Sequence, residues 1–145
     1  MSGFRWPVRV YWEDTDGEAI VYYANYLRFL ERARTEWLRA LGVSQPALVR
    51  ERGLLFTVVS LEVQYRAPAR FDDELEVTCE PLLEGAASLR LAQRIYRTVR
   101  GGPAEQALLV EASVRVACVD ARSFKPRRLP QILRDALASE TVSHG

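Results

Sequence analysis

Three acids, Glu13, Asp14 and Asp16, stand directly ahead of the most strongly patterned helical stretch of the chain, in the run YWEDTDGEAIVYYANYLRFLERARTEWLRAL from Tyr11 to Leu41. A carboxylate in such a place can act as a nucleophile or as a general base. The first N–H groups of a helix lack intrahelical partners, and with the aligned peptide dipoles they can hold a developing negative charge. The same acids could equally cap and solvate a helix start. The remaining chemical resources are thin. His144 is the single histidine and lies next to the C-terminus, which all but excludes Ser/His/Asp and Cys/His hydrolysis and His-ligated zinc. Cys79 and Cys118 are far apart, have no metal-type spacing and sit in apolar strand patterns, so both are expected as small buried side chains. No metal or cofactor is implied.

The helix that must position these acids follows from periodicity. Counted at 100° per residue from Tyr26, the residues Tyr26, Leu27, Phe29, Leu30, Ala33, Trp37, Leu38, Ala40 and Leu41 share an arc roughly 180° wide, interrupted only by Arg34. That is wider than the stripe of a helix resting on a surface and predicts a central helix wrapped by a sheet. Asn25 is the expected N-cap and Gly42 the expected residue past the C-terminus.

At 145 residues the chain is long enough for one domain with its own core, expected over 1–139, with 140–145 as a patternless, disordered tail. Twenty basic residues against 19 acids, net +1, with no basic block standing apart, argue against a nucleic-acid binder. No apolar run approaches the roughly 18 residues of a membrane span, and MSGFRWPVRVYW lacks a signal-peptide core. A soluble, cytoplasmic protein is the expectation.

Along the chain, Phe4 to Trp12 reads as a first strand, with Val8, Val10 and Trp12 opposed to Arg9 and Tyr11. Ser44, Pro46 and Gly53 bracket a short second helix. Leu54 to Arg66 follows as a strand with Val59, Leu61, Val63 and Tyr65 on one face, ending in a turn cluster from Ala67 to Asp73. Leu75, Val77 and Cys79 alternate with polar residues in the next strand. Glu84 and Gly85 then lead to a strand whose apolar face, Leu89, Leu91 and Ile95, includes Gln93. Gly101, Gly102 and Pro103 break the chain before a last strand from Leu108 to Asp120. Beyond it lies the basic, proline-interrupted segment Lys125 to Pro130, a candidate for phosphate binding, and then Gln131 to Ala138, good for a helical turn or two. The order predicts an α+β protein, a five-stranded antiparallel sheet around one long helix. The uncovered sheet face and edge predict self-association.

FRWPVRVYWEDTD (Phe4 to Asp16), VYYANYLRFLERARTEWL (Val21 to Leu38), YRAPARFDDELEV (Tyr65 to Val77) and ACVDARSFKPRRLP (Ala117 to Pro130) together resemble the hotdog-fold acyl-CoA thioesterases of the 4-hydroxybenzoyl-CoA thioesterase family, and within it the Tol-Pal-associated branch. The resemblance implies the hotdog fold and hydrolysis of acyl-CoA, with an acyl carrier protein as a possible alternative donor, by a homotetramer built as a dimer of dimers. It makes Asp16 the catalytic carboxylate, Asp14 structural, and the backbone N–H of Tyr23 the oxyanion donor. Glu31 is the rival carboxylate, because some hotdog thioesterases carry theirs on the central helix. Phe56 and Val58 are candidates to line the acyl or pantetheine tunnel, and Ser88 and Arg90 to touch polar parts of the substrate. Arg94, Arg97, Arg100, Lys125, Arg127 and Arg128 are further cations available to its phosphates. Two departures stand out. The family usually reads D-x-x-G, whereas Asp16 is followed by Gly17, Glu18 and Ala19, and Tyr23 replaces a common histidine. A non-catalytic acyl-CoA or carrier-protein binding module is the alternative. A hotdog dehydratase would need a histidine that only the tail supplies.

Overall fold

The computed structural model describes residues 3–98 and 106–144. Its elements are β1 (Phe4–Arg9), a 3-10 turn (Trp12–Asp14), α1 (Asn25–Ala40), α2 (Gln45–Arg52), β2 (Leu54–Tyr65), β3 (Glu74–Leu83), β4 (Ser88–Arg97), β5 (Ala107–Asp120) and α3 (Gln131–His144). The strands form one five-stranded sheet in the order β1-β3-β4-β5-β2. β1 runs antiparallel to β3 in a register from Phe4 opposite Cys79 to Arg9 opposite Glu74. This is the α+β arrangement that the alternation and the long helix predict. The break expected at Gly101, Gly102 and Pro103 lies outside the described residues.

The chain divides into two compact units, one of Met1–Glu36, Val63–Cys79 and Gln93–Ala112, the other of Trp37–Glu62, Glu80–Ala92 and Ser113–Gly145. In the first, α1 buries Tyr26, Phe29, Leu30 and Ala33, while Leu27 of the predicted arc is left 37% exposed. Leu75, Val77, Cys79, Ile95 and Leu109 are among the other residues of this unit's apolar interior. Gln93, fully buried, is the polar exception on the inner face of β4. Its Nε2 donates to Leu30 O at 3.1 Å, Thr78 O at 3.3 Å and Cys79 Sγ at 3.2 Å, and its Oε1 accepts from Arg34 Nη1 at 3.1 Å. The one charged residue on the apolar side of α1 therefore has a partner, as a buried polar group must.

Burial disfavours charge on both neighbours of this amide. It lowers the pKa of Arg34, and it pushes the Cys79 thiol up to about 12 despite the nearby guanidinium. Since the thiolate is the nucleophile, Cys79 is expected to stay inert to a disulfide reagent in the native protein at pH 8 and to react on unfolding. Counting thiols released with and without denaturant checks this. The sign of the pH effect follows. A thiol that keeps its proton longer folded than unfolded stabilises the fold below its ordinary value near 9, and that stability is lost as pH rises towards about 12.

The second unit buries Trp37, Leu38, Val43, Leu54, Leu129, Leu133 and Leu137. Ser44 caps α2 by accepting from Ala47 N, and Gly53, with φ 62°, closes it. Gly42 also adopts a positive φ, 91°, and a Cβ there would come within 3.2 Å of Ile132 Cδ1. Cys118 is buried and unpaired with Cys79, as expected of both thiols.

Four expectations are corrected. β1 stops at Arg9, because Asp14 Oδ2 accepts from Tyr11 N at 2.8 Å and turns Trp12–Asp14 into a 3-10 turn, leaving Trp12 exposed. Asn25 is the first residue of α1 rather than its cap, and its Nδ2 donates to Asp14 O at 2.8 Å. The strand face of Val59, Leu61 and Tyr65 is exposed, as is Val58 behind it, because β2 is an edge strand. The last helix, expected as a turn or two over 131–138, runs over Gln131–His144. Among the described residues no helix is long and apolar enough to cross a membrane.

Candidate active site

The acids lie on a loop that closes on itself before α1. Thr15 pairs with Val21 in an isolated bridge, and Asp16 N donates to Ile20 O at 3.0 Å, so residues 17–19 form the tip. Asp14 is consumed in building the loop. Its carboxylate caps the 3-10 turn, and its carbonyl accepts from both Tyr22 N and Asn25 Nδ2. Asp16 is exposed, and its Oδ1 accepts from Glu18 N at 2.9 Å. Among the described residues its Oδ2 receives no hydrogen bond, so one carboxylate oxygen is free.

A second segment, which the sequence marks only as a turn cluster, clamps this loop. Val21 N donates to Ala69 O and Phe71 N to Ala19 O, both at 2.9 Å, while Ile20 bridges Arg70. Ala69 N donates to the buried Tyr26 Oη at 2.9 Å, which ties the clamp to the first turn of α1. Trp12 and Phe71 meet edge to face at 5.4 Å on the rim.

Tyr23 precedes α1 by two residues and is 63% exposed. Its amide donates to no other group among the described residues, whereas its carbonyl accepts from Tyr65 Oη at 3.3 Å. Tyr65 also lies against the Tyr23 and Tyr26 rings, at 6.3 and 5.5 Å between centroids. Burial raises the pKa of both Tyr26 and Tyr65, which therefore remain neutral hydroxyls. A free amide at the mouth of a helix and an exposed carboxylate thus share one loop.

Ala19 shows what the loop requires. Its φ is 67°, so the position where the related pattern carries glycine does need the left-handed conformation, and alanine adopts it alongside Gly17 at 93°. An L-residue there costs about 1–2 kcal/mol. Glycine would return some of this through its more flexible unfolded chain, worth about 0.4–1 kcal/mol. The strain is the larger effect, so Ala19→Gly is expected to stabilise the protein by about 0.5–1 kcal/mol, measured as a higher denaturant midpoint with unchanged slope.

The other nominated residues are placed as follows. Glu31 is exposed on α1, where Thr35 Oγ1 donates to it at 2.9 Å. Phe56, Val58, Ser88 and Arg90 belong to the second unit, with Phe56 half-buried, Val58 40% exposed and Ser88 buried. Arg90 is not a free cation, since it donates to Ser113 Oγ and Glu84 Oε1, both at 3.0 Å. Glu84 also pairs with Arg115, and Glu111 pairs with both Arg66 and Arg94; Arg90 and then Arg115 hold the Glu84 carboxyl below the usual range, and Arg66 and Arg94 do the same for Glu111. Arg97 pairs with Asp73 and Arg127 with Asp120. Arg100 is outside the described residues. Lys125 and Arg128 have no ion-pair partner among those described. The sequence reading gave Tyr65, Tyr26 and the 69–71 clamp no part in the site. Their pairings join residues some 40 positions apart, and no local pattern announces them.

Comparison with known proteins adds the family. The model of the thioesterase-like superfamily matches residues 10–137. An acyl-CoA thioester hydrolase, YbgC, of Escherichia coli O157:H7 is 51% identical over 128 residues, covering 88% of this chain and 90% of that protein. The acyl-CoA thioesterase YbgC of Haemophilus influenzae is 42% identical over 135 residues, covering 93% and 94%. In fold, the chain is similar to the crystal structure of a 1,4-dihydroxy-2-naphthoyl-CoA thioesterase from Synechocystis, with a TM-score of 0.85 at 23% identity, covering 94% of this chain and 96% of that one.

Proposed function

The chain belongs to the thioesterase-like superfamily, whose hotdog fold it has, and from that premise we propose that it hydrolyses acyl-CoA thioesters to the free acid and CoA, with Asp16 as the working carboxylate. The observation that carries this reading is the pairing, on one clamped loop, of the free Asp16 oxygen with the unclaimed Tyr23 amide ahead of α1.

The thioester carbonyl oxygen would take the Tyr23 N–H, and the helix dipole would favour the oxyanion as the carbon becomes tetrahedral. One such donor is worth about 3 kcal/mol of barrier. Two routes then remain. Asp16 attacks the carbon, CoA leaves as its thiolate, and water opens the mixed anhydride; or Asp16 takes a proton from water, whose hydroxide attacks and expels the thiolate. Oxygen-18 appearing in the Asp16 carboxylate after one turnover in labelled water marks the first route. Glu31 is the weaker choice because it is held by Thr35 within the helix, away from the unpaired amides of the helix start.

Thiol release from short-chain, long-chain and aromatic acyl-CoAs, and from an acyl carrier protein, tests the activity and its donor. Tight binding without turnover would replace it with the binding-module reading. Phe56 and Val58 are read as lining the acyl or pantetheine tunnel, and Ser88 and Arg90 as polar substrate contacts, with a substrate phosphate displacing Glu84 from Arg90. The exposed apolar edge of β2 supports assembly, which we place at a homotetramer. Light scattering that gave a monomer at micromolar concentration would remove that part.

A further inference from the structure

We propose that the turn between β5 and α3 docks this protein reversibly onto anionic lipid bilayers, with Phe124 as an apolar wedge and Arg122, Lys125 and Arg128 as the cations around it. This goes beyond the hydrolytic reading and does not depend on it.

Phe124 is 63% exposed and stands in a run, 122–128, that is exposed throughout. Its backbone is in the left-handed region at φ 60°, a conformation that aromatic residues rarely adopt and that persists only where its surroundings impose it. They do so here. Asp120 Oδ1 accepts from Arg122 N and Ser123 N, both at 2.9 Å, and Asp120 O accepts from Phe124 N at 2.9 Å. Asp120 N donates to Lys125 O at 2.9 Å, and Val119 bridges Pro126. A tight hairpin thus holds a large apolar ring at its outer end, where most of its surface stays in water. No requirement of folding explains a strained phenylalanine at this place, because glycine would serve the backbone better.

The charges around the ring divide cleanly. Arg127 is neutralised by Asp120 at 3.0 Å, whereas Arg122, Lys125 and Arg128 have no carboxylate partner among the described residues. An exposed aromatic side chain on a turn that also carries three unpaired cations matches an anionic membrane surface, where the ring enters the headgroup boundary and the cations meet lipid phosphates. A lone cation adds roughly fivefold to partitioning onto such a surface, and one buried ring roughly tenfold more, so docking needs both. The paired Glu84 and Glu111 clusters elsewhere on the sheet offer no such excess.

Co-sedimentation of the full chain with vesicles of phosphatidylcholine alone, and of phosphatidylcholine mixed with phosphatidylglycerol, tests this. Binding is expected to the mixed vesicles only, and to fall as salt shortens the screening length. Phe124→Gly is the decisive variant, because it removes the ring while relieving the backbone; it is expected to raise thermal stability and to weaken vesicle binding roughly tenfold. Phe124→Trp should retain binding, and Arg122→Gln should lose roughly fivefold. Asp16→Asn should bind as the parent does, which separates docking from catalysis. No binding to mixed vesicles, or equal binding by Phe124→Gly, overturns the proposal. So does a change of oligomeric state in Phe124→Gly, since the ring would then cover a second copy. A higher KM for acyl-CoA in Phe124→Gly with vesicle binding intact overturns it as well, assigning the turn to the substrate.

Discussion

Replacement of Asp16 by Asn is expected to lower kcat for acyl-CoA hydrolysis by about a thousandfold while KM changes by less than about threefold. The amide has the shape of the carboxylate, and its oxygen can still accept from Glu18 N, so the loop keeps its form. What is lost is the free oxygen's negative charge, and with it both nucleophilicity and the ability to take a proton. Because Asp16 is exposed and carries no fold, the melting temperature should move by little. Thiol-release kinetics beside a thermal melt give both numbers. Full activity in a folded Asp16→Asn protein would move the chemistry to another group, with Glu31 first in line.

The largest stability effect is expected at Gln93. Gln93→Leu keeps the volume and is apolar, yet it strips Arg34 of its acceptor and Leu30, Thr78 and Cys79 of a donor. Backbone Leu30 and Thr78 retain helix and sheet partners; the half-buried guanidinium does not. Leaving such a charge unpaired is expected to cost about 3–4 kcal/mol, against about 1 kcal/mol for an ordinary hydrogen bond. Arg34→Met in the same chain should recover most of the loss, because the pair is then replaced by apolar groups of similar size. Urea denaturation of the four proteins of the cycle measures it. A Gln93→Leu protein as stable as the parent would show that Arg34 finds water instead.

The elements visible in the sequence were those written in local periodicity. Tyr26, Phe29, Leu30, Ala33, Trp37 and Leu38 mark α1 at helical spacing, and Ser44 with Gly53 marks both ends of α2. Alternation placed β3, β4 and β5 and even singled out Gln93, though not its partner, which is 59 positions away on α1. Position ahead of the helix singled out the acids only as a group; the division into a structural Asp14 and a candidate acid Asp16 came from the family resemblance, and Asp14 is indeed bound into the loop. Failures came where long-range pairing decides. Val59, Leu61 and Tyr65 have the alternation of a buried face, but β2 is at the sheet edge, and alternation alone does not say which face is covered. Trp12 continues the strand pattern of β1 until Asp14 reaches back to Tyr11 N. Ala19 carries no sign of a left-handed backbone; only the loop closing through Asp16 N and Ile20 O imposes it.

The clamp of 69–71 on 19–21 has a kinetic meaning. A rim stitched to a second segment by the two main-chain hydrogen bonds of one bridge, and to α1 through Tyr26, cannot swing to meet an incoming molecule without breaking these links together. The orientation of its acid is therefore fixed at folding, and the reorganisation that a mobile lid would demand at every cycle is spent once, when the polypeptide first collapses. Discrimination among acyl chains must then come from the fit of a rigid mouth, not from closure around the guest.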